Sequence, residues 1–208
     1  MTKAGPTIFL VDDDAGVLKA LSRLLRTRGY ETLAFTSPRE FLGTHDSSLP
    51  GCAVLDVSMP DLDGLELQKA LSTRDAYRPI IFLTGEGDIP TSVRAMKAGA
   101  IDFLTKPVSD DDLLAAIARA IEVDSEGRQL NSELEAINTR FASLTPREHE
   151  VMTHVIAGRL NKQIAGDLGT VEKTIKVHRS RVMEKMGVRS VAALVRLTEK
   201  AGISPKKP

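Results

Sequence analysis

Asp12, Asp13 and Asp14 stand together at the end of one apolar run, Asp56 ends a second, Thr84 follows a third, and Lys106 follows a fourth. Carboxylates gathered at neutral pH repel one another unless a cation sits among them. Hard oxygen donors with room for water suit Mg2+. A carboxylate can also serve as an acceptor nucleophile, and a Lys and a Thr hydroxyl opposite it would offset and bond the oxygens of a transferred phosphoryl group. Singly these residues say little: an isolated Asp-Asp-Asp is usually a strand-end turn, and Thr84-Gly85 is an ordinary loop. The lone Cys52 lies inside an apolar run and reads as core packing. Together they require a fold that brings four run-ends to one place.

The pattern up to about residue 123 supplies such a fold. Apolar runs at Thr7–Val11, Thr32–Phe35, Cys52–Leu55, Pro79–Leu83 and Asp102–Thr105 alternate with helical spacings. Leu18, Leu21 and Leu25 mark the first helix and Gly29 stops it; Ser37-Pro38 opens the second. Others are expected from Gly64 to Thr73, around Val93 and Met96, and through Leu113, Leu114, Ile117 and Ile121. Uninterrupted apolar strands between helices imply a parallel sheet covered on both faces, and right-handed crossovers make it doubly wound. In such α/β folds chemistry gathers beyond the carboxyl ends of the strands. Asp12, Asp13, Asp56, Thr84 and Lys106 all sit there.

Residues 124–143 are polar, with Leu130, Leu134, Ile137 and Phe141 spaced 4, 3 and 4 apart, which suits a helical linker with one apolar seam. The seam is short for a dimerising coiled coil, so a solvated connector packing on a neighbouring domain is expected. Residues 144–201 carry no strand pattern. Thr145-Pro146 opens a helix, Asn161 to about Leu168 forms a short one, Gly169-Thr170 turns, and Val171 to Met186 forms a longer basic one. A last helix follows from about Ser190 to Lys200. Short helix, glycine turn and long basic helix make the helix-turn-helix pattern.

The formal net charge of zero hides an asymmetry. Residues 1–124 hold 13 Lys+Arg against 19 Asp+Glu, a net of −6, and residues 125–208 hold 15 against 9, a net of +6. A basic half invites a polyanion, and an acidic half often holds a cation. One cysteine excludes a disulfide framework. No apolar run approaches a membrane span, and the N-terminus lacks a cleavage-site pattern, so a cytoplasmic protein is expected.

Four segments now carry a resemblance. VDDD at 11–14, VLDVSMPDLDG at 54–64, FLTGEG at 82–87 and DFLTKP at 102–107 resemble, in order, the signatures of a response-regulator receiver domain. The resemblance implies that Asp56 accepts phosphate from a sensor histidine kinase. It implies Mg2+ held by Asp12 or Asp13 or both, by Asp56 and by the Ser58 carbonyl. Thr84 would bond a phosphoryl oxygen, Lys106 would pair with the phosphoryl group, Phe103 would be the switch aromatic, and Lys106-Pro107 would be cis. Ser58 and Glu86 match positions that vary with the lifetime of the phosphorylated state. The chain would be a phosphoacceptor with at most weak autophosphatase activity, not an enzyme. The competing enzyme reading is a haloacid-dehalogenase-like phosphatase with Asp12 as nucleophile. Gly16 stands where that class has Thr or Val, and Asp56 would have no role.

LTPREHEV at 144–151, NKQIAGDL at 161–168 and TIKVHRSRVMEKMGVRS at 174–190 resemble the LuxR-type helix-turn-helix, and the whole chain resembles the FixJ/NarL class. Its basic helix would enter the major groove of promoter DNA. Lys173, Lys176, Val177 and Ser180 are expected to face bases; Lys162, Thr174, Arg179 and Arg181 are expected to hold phosphates; His178 fits either role or a structural one. Ile175, Val182 and Met186 should face the core. Family members usually carry Ser where Val171 stands as the cap, so Thr170 is expected to cap instead. The expected organisation is a receiver at 1–123, a linker at 124–143 and a DNA-binding unit at 144–208. The expected function is a transcription regulator that dimerises on phosphorylation and engages RNA polymerase. An output that binds RNA or protein is the other reading.

Overall fold

The computed structural model describes residues 5–73, 78–85 and 88–203. Glu86 and the tail Pro205–Pro208 lie outside them. Five parallel strands, β1 (Thr7–Val11), β2 (Glu31–Phe35), β3 (Gly51–Leu55), β4 (Ile80–Thr84) and β5 (Asp102–Thr105), form a sheet in the order β2-β1-β3-β4-β5. Between them run α1 (Ala15–Thr27), α2 (Pro38–Thr44), α3 (Gly64–Thr73) and α4 (Ile89–Lys97), and α5 (Asp110–Ala142) follows β5. This is the expected doubly wound α/β architecture.

Side chains alternate across the sheet and build two cores. Ile8, Leu10, Val54 and Ile81 face Leu18 and Leu25 of α1 and Leu113 and Ile117 of α5. Phe9, Val11, Leu55 and Phe82 face Phe41 of α2, Leu67 and Leu71 of α3 and Ala95 of α4. The strand order reverses between β1 and β3, which leaves a crevice beyond their carboxyl ends. Asp12 and Asp56 are the residues that follow those two ends.

The helix α5 continues through the segment expected to be a separate linker; nothing in its polar composition breaks a helix, and Gly127 is tolerated inside it. The chain divides by contacts between Arg128 and Gln129. Two residues assigned by sequence to the linker therefore bond into the first unit. Buried Asp124 accepts from Gly51 N at 2.8 Å and from Arg128 Nε at 2.7 Å. Arg128 also donates to the carbonyls of Ser47, Ser48 and Leu49. From the other side the buried Arg78 donates to the carbonyls of Asp46 and Leu49, and through Nε to His45 Nε2 at 2.7 Å. Burial, and then the Arg78 guanidinium, pushes His45 down to about 4, so it is a neutral acceptor at pH 7. Gly51 itself is irreplaceable: its φ is 136°, and a Cβ there would lie 1.9 Å from the Thr7 carbonyl oxygen. Asp124→Ala in the full chain is expected to destabilise the receiver by about 2 kcal/mol, because the Gly51 N–H and the Arg128 guanidinium lose their acceptor. Urea unfolding followed by circular dichroism checks this; an unchanged receiver midpoint would mean that Asp124 is a surface residue in effect.

The second unit is helical. Its helices are α6 (Pro146–Ile156), α7 (Asn161–Asp167), α8 (Glu172–Lys185) and α9 (Val191–Lys200). Val151, Met152, Val155, Ile164, Ile175, Val182, Met186 and Leu194 form its core. Phe141, from the late part of α5, packs with it, and Ile137 is buried, whereas Leu130 of the same seam is exposed. Thr145 and Glu148 cap α6 reciprocally, the Thr hydroxyl accepting from Glu148 N and the Glu carboxylate from Thr145 N. Among the described residues, no helix is long and apolar enough to cross a membrane.

Candidate functional site

The third acid of the Asp12–Asp14 run is a helix cap. Asp14 Oδ1 accepts from Gly16 N at 2.7 Å and Val17 N at 3.3 Å and so starts α1. Asp13 is exposed. Asp12 is turned inward, with its Oδ1 accepting from Asp14 N at 2.9 Å. Asp56 is equally buried; its Oδ2 accepts from Ser58 N at 2.7 Å, and its backbone N donates to Val11 O at 2.8 Å. Gly64 lets α3 begin beneath it, since a Cβ there would lie 2.4 Å from the Asp56 carbonyl oxygen.

Lys106 joins the two acids. Its Nζ donates to Asp12 Oδ2 at 2.6 Å and to Asp56 Oδ1 at 2.8 Å. The carboxylate side chains are 6% exposed and the lysine 25%, so the pair sits at the edge of solvent with one positive charge for two negative ones. Burial works against the ammonium, but the hydrogen bonds to Asp12 and Asp56 outweigh it and raise the Lys106 pKa. That contribution to stability is complete below the ordinary lysine value and is lost only as pH rises through the higher folded one. Lys106 N donates to Thr84 O at 2.7 Å, which ties the end of β5 to the end of β4, and the Lys106-Pro107 bond is cis. Thr84 is fully buried. Phe103 is half-buried, its ring 5.9 Å from that of Phe82. Ser58 is exposed beside Asp56. Among the described residues no group of three or more His, Cys, Asp and Glu is arranged around a metal position. The structure thus gathers Asp12, Asp56 and Lys106, with the ends of β4 and β5 beside them, and leaves Asp13 outward.

The basic helix α8 is two-faced. Ile175, Val182 and Met186 are buried, as expected. Lys173, Lys176, Val177, Ser180 and Arg181 are exposed, as is Lys162 at the start of α7; Thr174, His178 and Arg179 are half-buried. Arg179 Nη1 donates to Asn161 Oδ1 at 3.0 Å and braces α8 against α7, a role the sequence reading did not assign to it. Lys176 lies 3.7 Å from Glu172, one turn earlier. The expected cap is corrected: α8 begins at Glu172 with Val171 in the cap position and no side-chain hydrogen bond there. Thr170 instead belongs to the preceding turn, its N donating to Ala165 O at 2.9 Å. One further link was not foreseen. Lys185 of α8 meets the buried Glu148 of α6 at 2.6 Å.

Two family models match the chain. Response regulator receiver domain covers residues 8–118, and Bacterial regulatory proteins, luxR family, covers residues 142–198. Nodulation protein W of Bradyrhizobium diazoefficiens is 45% identical over 197 residues, covering 95% of this chain and 87% of that protein. Transcriptional regulatory protein FixJ of the same organism is 42% identical over 196 residues, covering 94% and 96%. Among solved structures, that of the response regulator StyR has a TM-score of 0.87 at 47% identity, covering 95% of this chain and all of that one.

Proposed function

The chain belongs to the response regulators that join a receiver domain to a LuxR-type output domain, and from that membership we propose which residues carry its phosphorylation-controlled regulation of transcription. Asp56 is the acceptor. A carboxylate oxygen of Asp56 attacks the phosphorus of a phosphohistidine on the partner kinase, the P–N bond breaks, and the leaving imidazole takes up a proton. Lys106 exchanges its bond to Asp56 for one to the phosphoryl oxygens, and the Thr84 hydroxyl turns to another of them. Phe103 follows Thr84. Hydrolysis of the acyl phosphate returns Asp56, a weak autophosphatase activity.

The donor set fits Mg2+: the ion keeps most of its waters and is commonly held by one or two carboxylates, and Asp12 and Asp56 are two buried ones sharing a single ammonium. Asp12, Asp56 and the Ser58 carbonyl would hold it, with Asp13 as a further carboxylate beside them. When bound, it offsets charge on the transferred oxygens. The observation that carries the reading is Lys106 bridging two buried carboxylates at the switch point of the sheet. Family membership sets aside the phosphatase with Asp12 as nucleophile.

The added charge, about −1.5 to −2, reshapes the face made by α4 and β5, where Ile89, Val93 and Met96 are exposed. Two chains then pair there as a homodimer and present two output units to two half-sites of promoter DNA. Lys173, Lys176, Val177 and Ser180 reach base edges, and Lys162, Thr174, Arg179 and Arg181 hold phosphates, with Arg179 placed by Asn161. RNA polymerase is the further partner, and the cytoplasm, where promoters are, is the place of work.

The test is intact-mass spectrometry after incubation with acetyl phosphate and Mg2+. Wild type is expected to gain one phosphoryl group and Asp56→Asn none. An equal adduct on the variant would sink the assignment.

A further inference from the structure

A half-satisfied amide lies away from the acidic pocket, between α3 and α4. Gln68 of α3 is 5% exposed. Its Nε2 donates to the carbonyls of Ala95 and Ala98, at 3.3 and 3.2 Å, in the last turn of α4. Both neighbours are acceptors, so the amide cannot be turned over without setting oxygen against oxygen. The orientation leaves Gln68 Oε1 buried with no hydrogen-bond partner among the described residues. Such an acceptor has left its water and gained nothing in return.

Beside it lies a cavity of about 350 Å³, lined by Leu65, Gln68, Lys69 and Ser72 from α3 and by Arg94 and Ala98 from the α4 side. Of the two residues on that side, Arg94 alone carries a side-chain donor. Lys69, Ser72, Arg94 and Ala98 are exposed, so this space opens to solvent between the two helices. One displacement would relieve that acceptor: a shift of α4 along α3 that brings the Arg94 guanidinium onto Oε1. What opposes it is the pair of bonds from Gln68 Nε2 and the tight seat of Ala95, which is fully buried.

We propose that Gln68 is the catch holding the C-terminal end of α4 in its resting position, and that Arg94 becomes its partner when α4 moves. Gln68 is then a positioning residue that sets how much phosphoryl binding is needed to switch the α4 and β5 face. The proposal rests on the function assigned to that face, and it adds the element that decides the threshold. Two arrangements of one packed helix, each satisfying a different half of the same amide, form the kind of balanced pair that a ligand can bias.

The experiment uses the full chain as wild type, Gln68→Met, Arg94→Ala and the double variant. Gln68→Met keeps the volume and removes both the donor and the orphan acceptor. Hydrogen exchange read by mass spectrometry reports the α4 amides without any ligand, and a beryllofluoride titration with Mg2+ reports the switching midpoint. Without ligand, Gln68→Met is expected to speed exchange in residues 92–100 by about threefold to tenfold, the value of a lost neutral hydrogen bond. In the Arg94→Ala background, where no switched-state partner is left to lose, it should lower the beryllofluoride midpoint by a similar factor. Arg94→Ala should raise the midpoint in wild type and leave it unchanged when residue 68 is Met. Unaltered exchange in α4 would overturn the catch whether or not Asp56 takes a phosphoryl group. Additive effects of the two substitutions would overturn the role of Arg94. A fall in thermal midpoint with no change in either readout would make Gln68 a packing residue only. Failure of the function assigned to the pocket shows separately, as a wild type whose α4 exchange ignores beryllofluoride while Gln68→Met still accelerates it.

Discussion

Glu148→Ala is expected to remove about 3 kcal/mol from the output unit, more than half of its stability, and so to lower its midpoint of unfolding steeply and weaken DNA binding. Glu148 is 2% exposed yet carries a charge. Its Oε2 accepts from Lys185 Nζ at 2.6 Å and from Thr145 N at 2.9 Å, and Lys185 also donates to Ser143 O at 3.0 Å. One carboxylate thus joins the entry to α6, α6 itself and the C-terminal end of α8. Deleting it leaves the Lys185 ammonium and the Thr145 N–H without their shared acceptor at the C-terminal end of α8. Breaking a fully buried pair costs about 3–5 kcal/mol; Lys185 is about one-third exposed and rehydrates, which sets the lower end. A helical unit of this size holds only about 5 kcal/mol in reserve. Glu148→Gln keeps an acceptor for Thr145 N and should lose about half as much. Urea unfolding by circular dichroism, with anisotropy on duplex DNA, measures both effects; a variant within about 0.5 kcal/mol of wild type would show the pair to be surface-like.

The same pair makes the unit acid-sensitive. Lys185, and then the Thr145 N–H, hold the Glu148 carboxyl down at about 2, against an ordinary value of 4.5. A depressed carboxyl contributes stability in full above the unfolded value and loses it as pH falls through the folded one. The loss therefore runs from about pH 4.5 to about pH 2, and it should be absent in Glu148→Gln.

The residues of the acidic pocket could be read from the chain because each stands at an element boundary, where a change from apolar run to polar residue marks both the strand end and the chemistry. Residues whose partners are distant could not. Asp124 sits in polar sequence and looks solvated, but its partner Gly51 is 73 positions away, and no local pattern records that bond. Asp14 was one of three identical acids, and only the backbone direction after Asp12 decides which turns inward and which caps α1. The α8 cap was misplaced because a hydroxyl at Thr170 suggested a start that the Gly169 turn, with φ of 61°, does not allow. The Thr145 and Glu148 capping box, by contrast, is legible as a Thr followed three residues later by Glu. The Lys185 that neutralises it is not, being 37 residues on.

Lys106→Met should cost the receiver about 3 kcal/mol and make its stability depend on Mg2+. The lysine is the cation bonded to both Asp12 and Asp56, and without it two buried carboxylates face each other. The Asp14 and Ser58 N–H groups still serve one oxygen of each acid, so the remaining oxygens lose the partner they shared. If repulsion is the cause, Asp12→Asn should restore most of the loss in the Lys106→Met background, while being milder in wild type, because the two substitutions act on one interaction and cannot add. A divalent cation should restore it too. The site carries one more negative charge without the lysine, so millimolar Mg2+ should stabilise the variant more than wild type, by the mass-action relation between ligand and folded state. Urea unfolding in EDTA and in Mg2+, on the single and double variants, separates these claims. Lys106→Met as stable as wild type in EDTA would mean that the bridge contributes nothing at rest. A loss that Asp12→Asn fails to relieve would mean that packing of the lysine stem, not charge, is what the pocket misses.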